Sequence, residues 1–325
     1  METPLREEIL SRIRELKAAE FENVAEMLFQ YQKLNNPLYA YYLDLLGEKP
    51  IRPFLPVSLF KSHVIQSGEW KPATFFESSG TTGQIPSRLP VRDMSLYLEN
   101  AKNCFHKYYG NPAEYCFLAL LPNYLERGNS SLVAMTDHFI HISKYEQSGF
   151  FLDEYSRLHD TLDLCISKGY KTILLGVSYA LLDFAEQYPM KLGDTIVMET
   201  GGMKGRRKEL TKAELHHQLK KAFQVDTIHA EYGMTELFSQ AYAQGNAIFA
   251  PGPTMRVIAT EPNDPFCLVP SGKTGVLNII DLANVDTMAF IQTEDLGRVY
   301  EDGRFEVIGR LDAAELRGCN LMVNG

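Results

Sequence analysis

The sequence is poor in cysteine, short of positive charge, and free of long apolar runs. Its five cysteines, Cys104, Cys116, Cys165, Cys267 and Cys319, stand apart in a chain of 325 residues. With no C-x-x-C pair and an odd count, a disulfide framework and a cysteine-rich zinc site are both excluded. Most of these thiols are expected to be small buried hydrophobes. Lys and Arg number 32 against 41 Asp and Glu, a net charge of −9. That balance excludes a general nucleic-acid binder, because neutralising phosphates needs clustered cations. The one dense basic stretch, Lys204-Gly205-Arg206-Arg207-Lys208, reads as the solvated start of a helix. No run approaches the ~18 apolar residues of a membrane span, and Met1-Glu2-Thr3-Pro4-Leu5-Arg6-Glu7-Glu8 lacks a signal-peptide pattern, so a cytosolic protein is expected. His138 and His141, read as lying on a strand, lack the third ligand of a zinc site.

What is present is a chain able to bury a large core, with 45% hydrophobic and 22% charged residues. The length suits one dominant α/β domain with a small helical lobe. Residues 1–50 form that lobe: Leu5, Ile9, Ile13, Leu16, Phe21, Val24 and Leu28 recur at helical spacing before Pro50, Pro53 and Pro56 break the pattern. Short apolar runs at 115–121, 171–175, 195–198 and 227–230 then alternate with helical patterns at 179–186 and 209–223. This texture predicts a mainly parallel sheet with flanking helices. From Met255 the pattern is β-rich, with strands at 255–260, 276–282 and 288–293 and a hairpin around Glu301-Asp302-Gly303-Arg304.

Ligands of open α/β sheets gather at the carboxyl ends of the strands, where the polar loops Pro122-Asn123-Tyr124, Thr200-Gly201-Gly202 and Glu231-Tyr232-Gly233-Met234-Thr235-Glu236 are expected to fall. Ser78-Ser79-Gly80-Thr81-Thr82-Gly83 offers hydroxyls and closely approachable backbone N–H groups to an anion, although such a loop alone is more often a turn and it is not a Walker A loop. Glu231-Tyr232-Gly233-Met234-Thr235-Glu236 combines an aromatic suited to a purine face with hard oxygens suited to Mg²⁺ and phosphate. Thr235 also reads as a helix N-cap. Thr293-Glu294-Asp295-Leu296-Gly297 places an acid where a strand is expected to end, fit for ribose hydroxyls. Gly309-Arg310-Leu311-Asp312 adds a cation.

These four stretches, in this order, resemble the core motifs of the adenylate-forming superfamily of acyl-CoA ligases, luciferases and peptide-synthetase adenylation domains. Pro56-Val57-Ser58-Leu59-Phe60-Lys61, Leu121-Pro122-Asn123-Tyr124-Leu125-Glu126-Arg127, Ser130-Ser131-Leu132 and Arg317-Gly318-Cys319-Asn320-Leu321 narrow the resemblance to the LuxE-like acyl-protein synthetases.

The resemblance implies an adenylate-forming core over 51–312 and an acyl-acceptor tail over 313–325, ending where acyl-CoA ligases continue into a mobile C-terminal domain. It implies ATP and Mg²⁺ as cofactors. Ser78, Ser79, Gly80, Thr81, Thr82 and Gly83 would hold the β,γ-phosphates, and Gly201 and Gly202 would line the nucleotide and acyl pocket. Tyr232 would stack on adenine, Thr235 and Glu236 would serve phosphate and Mg²⁺, Asp295 would bind ribose, and Arg310 the ribose or α-phosphate side. A carboxylic, fatty acid would become acyl-AMP and then pass to Cys319 for delivery to a partner acyl reductase. Two features depart from the pattern. Ser87-Arg88 stand where a lysine commonly follows the glycine loop, and the ligases' C-terminal lysine has no counterpart, which leaves Arg310, Arg317 or Lys204 to face the α-phosphate. Tyr124, His138, Phe139 and Tyr179 are candidates for the acyl pocket. A CoA ligase whose last domain acts in trans, and a non-catalytic nucleotide- or acyl-binding subunit, are the alternatives.

Overall fold

The computed structural model describes residues 4–78, 85–122, 129–201 and 210–311. Three helices open the chain: α1 (Pro4–Arg14), α2 (Phe21–Asn35) and α3 (Pro37–Leu46). The break between α2 and α3 is local chemistry. Asn36 accepts the N–H of Tyr39 through its side chain while Pro37 occupies the first turn, the position where its missing N–H costs nothing. A two-residue strand, β1 (Leu55–Pro56), a 3₁₀ turn at Val57–Lys61, and a hairpin of β2 (Thr74–Glu77) and β3 (Arg88–Val91) follow.

Next come α4 (Met94–Tyr109), β4 (Cys116–Leu120), α5 (Ser131–Ile142), β5 (Gly149–Phe150), α6 (Tyr155–Ser167), β6 (Thr172–Val177), α7 (Ser178–Gln187), β7 (Ile196–Thr200), α8 (Lys212–Phe223) and β8 (His229–Tyr232). Here β5, β4, β6, β7 and β8 lie side by side and parallel, as the strand–helix alternation predicts. Alternate residues of β6 serve the two faces: Ile173 and Leu175 join the core under α4 and α5, whereas Leu174 joins that under α6, α7 and α8.

The last part is antiparallel: β9 (Ala241–Ala243), β10 (Ile248–Pro251), β11 (Met255–Glu261), β12 (Asp264–Leu268), β13 (Thr274–Asp281), β14 (Phe290–Val299) and β15 (Phe305–Arg310). It continues the parallel half through the β8–β9 pair, giving one strand order β12-β11-β13-β14-β15-β10-β9-β8-β7-β6-β4-β5, with β1 added parallel to β14.

Three local expectations change. His138 and His141 lie on α5, not on a strand; the run Ser131–Ile142 is apolar enough to read either way, and the Ser130 hydroxyl caps it by accepting the N–H of Val133. No helix follows Thr235, which sits in a turn leading to β9. Asp295 lies inside β14, which continues past an irregularity at Leu296–Gly297 to Val299. The described cysteines are, by contrast, mostly the small buried hydrophobes expected: Cys104, Cys116 and Cys165 are buried, the last two with sulfurs 3.7 Å apart, and Cys267 is exposed.

Candidate active site

The β2–β3 hairpin brings together the residues on either side of the first motif. Glu77 lies opposite Arg88, and the two side chains pair at 2.9 Å. The Ser78 N–H donates to the Ser87 carbonyl at 3.0 Å, and the Ser87 N–H donates to the Ser78 hydroxyl at 2.8 Å. Ser78 thus closes the neck of the loop whose remaining residues, Ser79, Gly80, Thr81, Thr82 and Gly83, lie outside the described residues. Arg88 is turned to Glu77 and to the face of Phe75, 4.4 Å from its ring centre.

The second, third and fourth motifs meet directly. β8 delivers Tyr232, whose phenol hydroxyl donates to Asp295 Oδ2 at 2.7 Å. Asp295 in β14 lies opposite Arg310 in β15, and Arg310 Nε approaches Asp295 Oδ1 at 3.4 Å. The Tyr232 ring is packed against Phe249 and edge-on to Phe305, with centroids 5.7 and 5.4 Å away. Burial, then the neighbouring Asp295 charge, pushes the Tyr232 phenol far up, so it stays a donor. A carboxylate has about four lone-pair positions. With one donor on each oxygen, Asp295 retains acceptor capacity for further hydroxyls.

Glu236 joins the neck of the first loop, through Ser87, to the second motif. It is 5% exposed, and burial raises its carboxyl above the ordinary value, opposed by a hydrogen bond with the Ser87 side chain and by the charges of Arg310 and Lys61. Lys61 ends the 3₁₀ turn that follows β1, and β1 pairs with β14 through Leu55 and Ile291. The pairing explains how a residue so early in the chain reaches this corner. The Pro56-to-Lys61 stretch was one basis of the family resemblance, yet sequence reasoning did not count Lys61 among the cations. Arg317, Lys204, Gly202, Tyr124 and Cys319 lie outside the described residues.

Gly201 follows β7 with φ +67°, a left-handed backbone that favours glycine. Its carbonyl faces the Ser178 hydroxyl at 3.4 Å. Phe139 packs among Phe105 and Phe117, centroids 5.1 and 5.4 Å away, as a core residue. Tyr179 is buried and donates to the Pro122 carbonyl at 3.3 Å.

Beside Gly201 lies a buried acid pair that sequence reasoning did not single out. Glu199, wholly buried, accepts from the Ser178 hydroxyl at 3.0 Å, pairs with Lys212, and has His216 Nε2 at 3.4 Å. Burial alone would raise its carboxyl, but Lys212 and His216 overcome that and hold it below the ordinary value. Glu231 on the next strand accepts from the Thr200 hydroxyl at 2.5 Å. Burial first, then the Glu199 charge, pushes its carboxyl up to about 7 despite that bond. Two carboxyls on adjacent strands therefore differ in protonation, because only one has a cation. A carboxylate next to a Lys–His pair is not a recognisable motif; the signal would have been the i, i+4 pair Lys212 and His216 opening α8.

No curated protein matches the chain. Among solved structures, ATP-bound MatB from Rhodopseudomonas palustris superposes with a TM-score of 0.52 and 18% identity over 73% of this chain and 47% of that one. A 2-hydroxyisobutyryl-CoA ligase in complex with 2-HIB-AMP and CoA gives a TM-score of 0.67 and 14% identity over 92% and 70%. The luciferase-like enzyme of the nonluminescent mealworm Zophobas morio gives 0.51 and 18% over 76% and 60%. At these identities the likeness establishes the fold, the adenylate-forming α/β architecture, and this chain spans about half the length of the first of them. Residues 140–325, more than half of the sequence, match the family described as acyl-protein synthetase, LuxE. That stretch contains three of the four motifs, and the chain belongs to the LuxE acyl-protein synthetase family.

Proposed function

We propose that this protein activates a carboxylic acid, of the fatty-acid class, as acyl-AMP and then transfers the acyl group to Cys319 for delivery to an acyl reductase. The observation that carries the reading is the meeting of motifs distant in sequence: Tyr232 on Asp295, Asp295 opposite Arg310, and Glu236 beside Ser87.

In the first step a carboxylate oxygen attacks the α-phosphorus of ATP, the bond from that phosphorus to the bridging oxygen breaks, and pyrophosphate leaves. Such a displacement needs alignment and charge stabilisation more than proton transfer. Asp295 would orient the ribose through its remaining acceptor sites, with Tyr232 fixing the carboxylate. Arg310 and Lys61 would supply positive charge beside the phosphates. The glycine loop, anchored by the Ser78–Ser87 neck, would embrace the β,γ-phosphates.

Thr235 and Glu236 fit Mg²⁺ as hard oxygen donors. Among the described residues no group of three or more His, Cys, Asp or Glu side chains is placed to hold a metal, so phosphate oxygens would complete the shell. The ion would neutralise phosphate charge and, when bound, would favour the ionised form of the buried Glu236.

In the second step the Cys319 thiolate attacks the acyl carbon, the bond to the AMP oxygen breaks, and AMP leaves while the thiol proton passes to solvent. A tethered thiol replaces an encounter with free thiol by a high effective concentration.

Intact-mass spectrometry after incubation with ATP, Mg²⁺ and a panel of acids tests the reading. An acyl adduct released by neutral hydroxylamine and missing in Cys319→Ala is expected. Pyrophosphate without adduct, or a CoA thioester, would place the protein among acyl-CoA ligase-like enzymes instead. No pyrophosphate with any acid would leave a binding subunit.

A further inference from the structure

Between β13 and β14 the chain runs Asp281-Leu282-Ala283-Asn284-Val285-Asp286-Thr287, a buried segment with no part in the chemistry above. On one side it grips the turn that carries Thr235 and Glu236. Asp281 Oδ2 accepts the backbone N–H groups of Phe238 and Ser239 at 2.7 and 2.9 Å, and Oδ1 accepts the Ser239 hydroxyl at 2.5 Å. Asn284 Nδ2 donates to the carbonyl of Glu236 itself at 2.7 Å. Asn100 adds a bond to the Phe238 carbonyl at 2.9 Å.

On its other side the segment is held by the opening helices. Gln32 Nε2 on α2 lies 2.9, 3.2 and 3.3 Å from the carbonyls of Asn284, Val285 and Thr287, and its Oε1 accepts the Ala289 N–H at 3.0 Å. Arg6 on α1 meets both oxygens of Asp286 at 2.7 Å. Asn36 Nδ2 and the Ser67 hydroxyl complete the Thr287 carbonyl at 3.1 and 2.6 Å.

Within the turn the Leu237 N–H donates to the Met234 carbonyl at 3.1 Å, a bond that shapes the turn but does not fix it to the sheet. Its height above the sheet therefore depends on the side chains beneath it. We propose that Asn284 and Asp281 are positioning residues for Thr235 and Glu236, and that α1 and α2 belong to the active site through Arg6 and Gln32. The role in catalysis rests on the reading under Proposed function; the mechanical clamp does not. Misplacement of a phosphate-facing group by about 1 Å can cost ~100-fold in rate, so a clamp of this kind has a kinetic signature.

Asn284→Ala removes the donor to Glu236 and the acceptor of the Thr287 hydroxyl, and leaves the fold's apolar core intact. Hydrogen exchange read by mass spectrometry is expected to quicken about tenfold across residues 234–239, the equivalent of one lost hydrogen bond, while residues 274–281 keep their protection. In acid-dependent pyrophosphate release, kcat is expected to fall by ~10- to 100-fold with the KM for the acid unchanged, a split that general loosening would not give. Gln32→Leu, similar in volume, is expected to quicken exchange at both 281–287 and 234–239. Wild-type exchange at 234–239 in a folded Asn284→Ala protein overturns the clamp, and undiminished kcat overturns its role in positioning. Protection of 234–239 in Gln32→Leu overturns the part assigned to the helices. If the wild type releases no pyrophosphate with any acid, the functional reading falls and the exchange data alone decide the clamp.

Discussion

Tyr232 and Asp295 are 63 residues apart in sequence and 2.7 Å apart in space. The contact joins the last residue of a parallel strand, β8, to the middle of an antiparallel one, β14, and so links the two halves of the sheet at one functional point. Removing the hydroxyl in Tyr232→Phe leaves a buried carboxylate with one donor fewer, worth about 1–2 kcal/mol. The KM for ATP is expected to rise by about tenfold, while the KM for the acid stays near wild type; initial-rate measurements at varied ATP check this.

Glu231 predicts a pH dependence of stability. Its carboxyl lies at about 7 in the folded protein against an ordinary 4.5. The folded state thus holds a proton that the unfolded state has lost, so the contribution is fully present below about 4.5 and is lost as pH rises through about 7. The difference corresponds to roughly 3 kcal/mol at most. Glu231→Gln, which stays neutral, is expected to gain stability relative to wild type at pH 8 but not at pH 5, measured by urea denaturation at both.

Gly297 is the last residue of the T-E-D-L-G stretch, and its importance is steric. A Cβ there would lie 2.1 Å from the Glu306 carbonyl oxygen and 2.8 Å from a Leu277 methyl. Backbone cannot yield as a flexible side chain can, so Gly297→Ala is expected to cost about 2 kcal/mol or more by forcing β14 and β15 apart. Since those strands carry Asp295 and Arg310, thermal denaturation and ATP affinity should worsen together.

Lys61 offers a test of how charge is supplied beside the phosphates. Lys61→Ala is expected to lower kcat/KM for ATP by about 10- to 100-fold with little change in melting temperature, because the residue is exposed. Lys61→Arg should recover most of the loss.

Much of this architecture was legible because its signals are local. β6 and α7 follow from an apolar run and a helical repeat that need no distant partner, and the hairpin turn at Asp302-Gly303 sits between β14 and β15 as its residues predict. The helix carrying His138 and His141 was read as strand because a short apolar run has no decisive period. Asp295 was placed at a strand end because Thr293-Glu294-Asp295 is polar, yet β14 keeps pairing on both sides of it. The rest depends on partners far along the chain: Arg6 meets Asp286 across 280 positions, and Asp281 holds Ser239 across 42. No spacing rule encodes such contacts. The meeting of the second, third and fourth motifs was legible only through the family resemblance, since each motif alone suits an ordinary turn.

Acid-dependent exchange of labelled pyrophosphate into ATP is the most direct test of adenylation. The wild-type protein should catalyse exchange with at least one carboxylic acid, and Asp295→Ala should reduce it at least ~100-fold through lost ribose and Arg310 contacts. Exchange with no acid, or exchange undiminished in Asp295→Ala, would contradict the account.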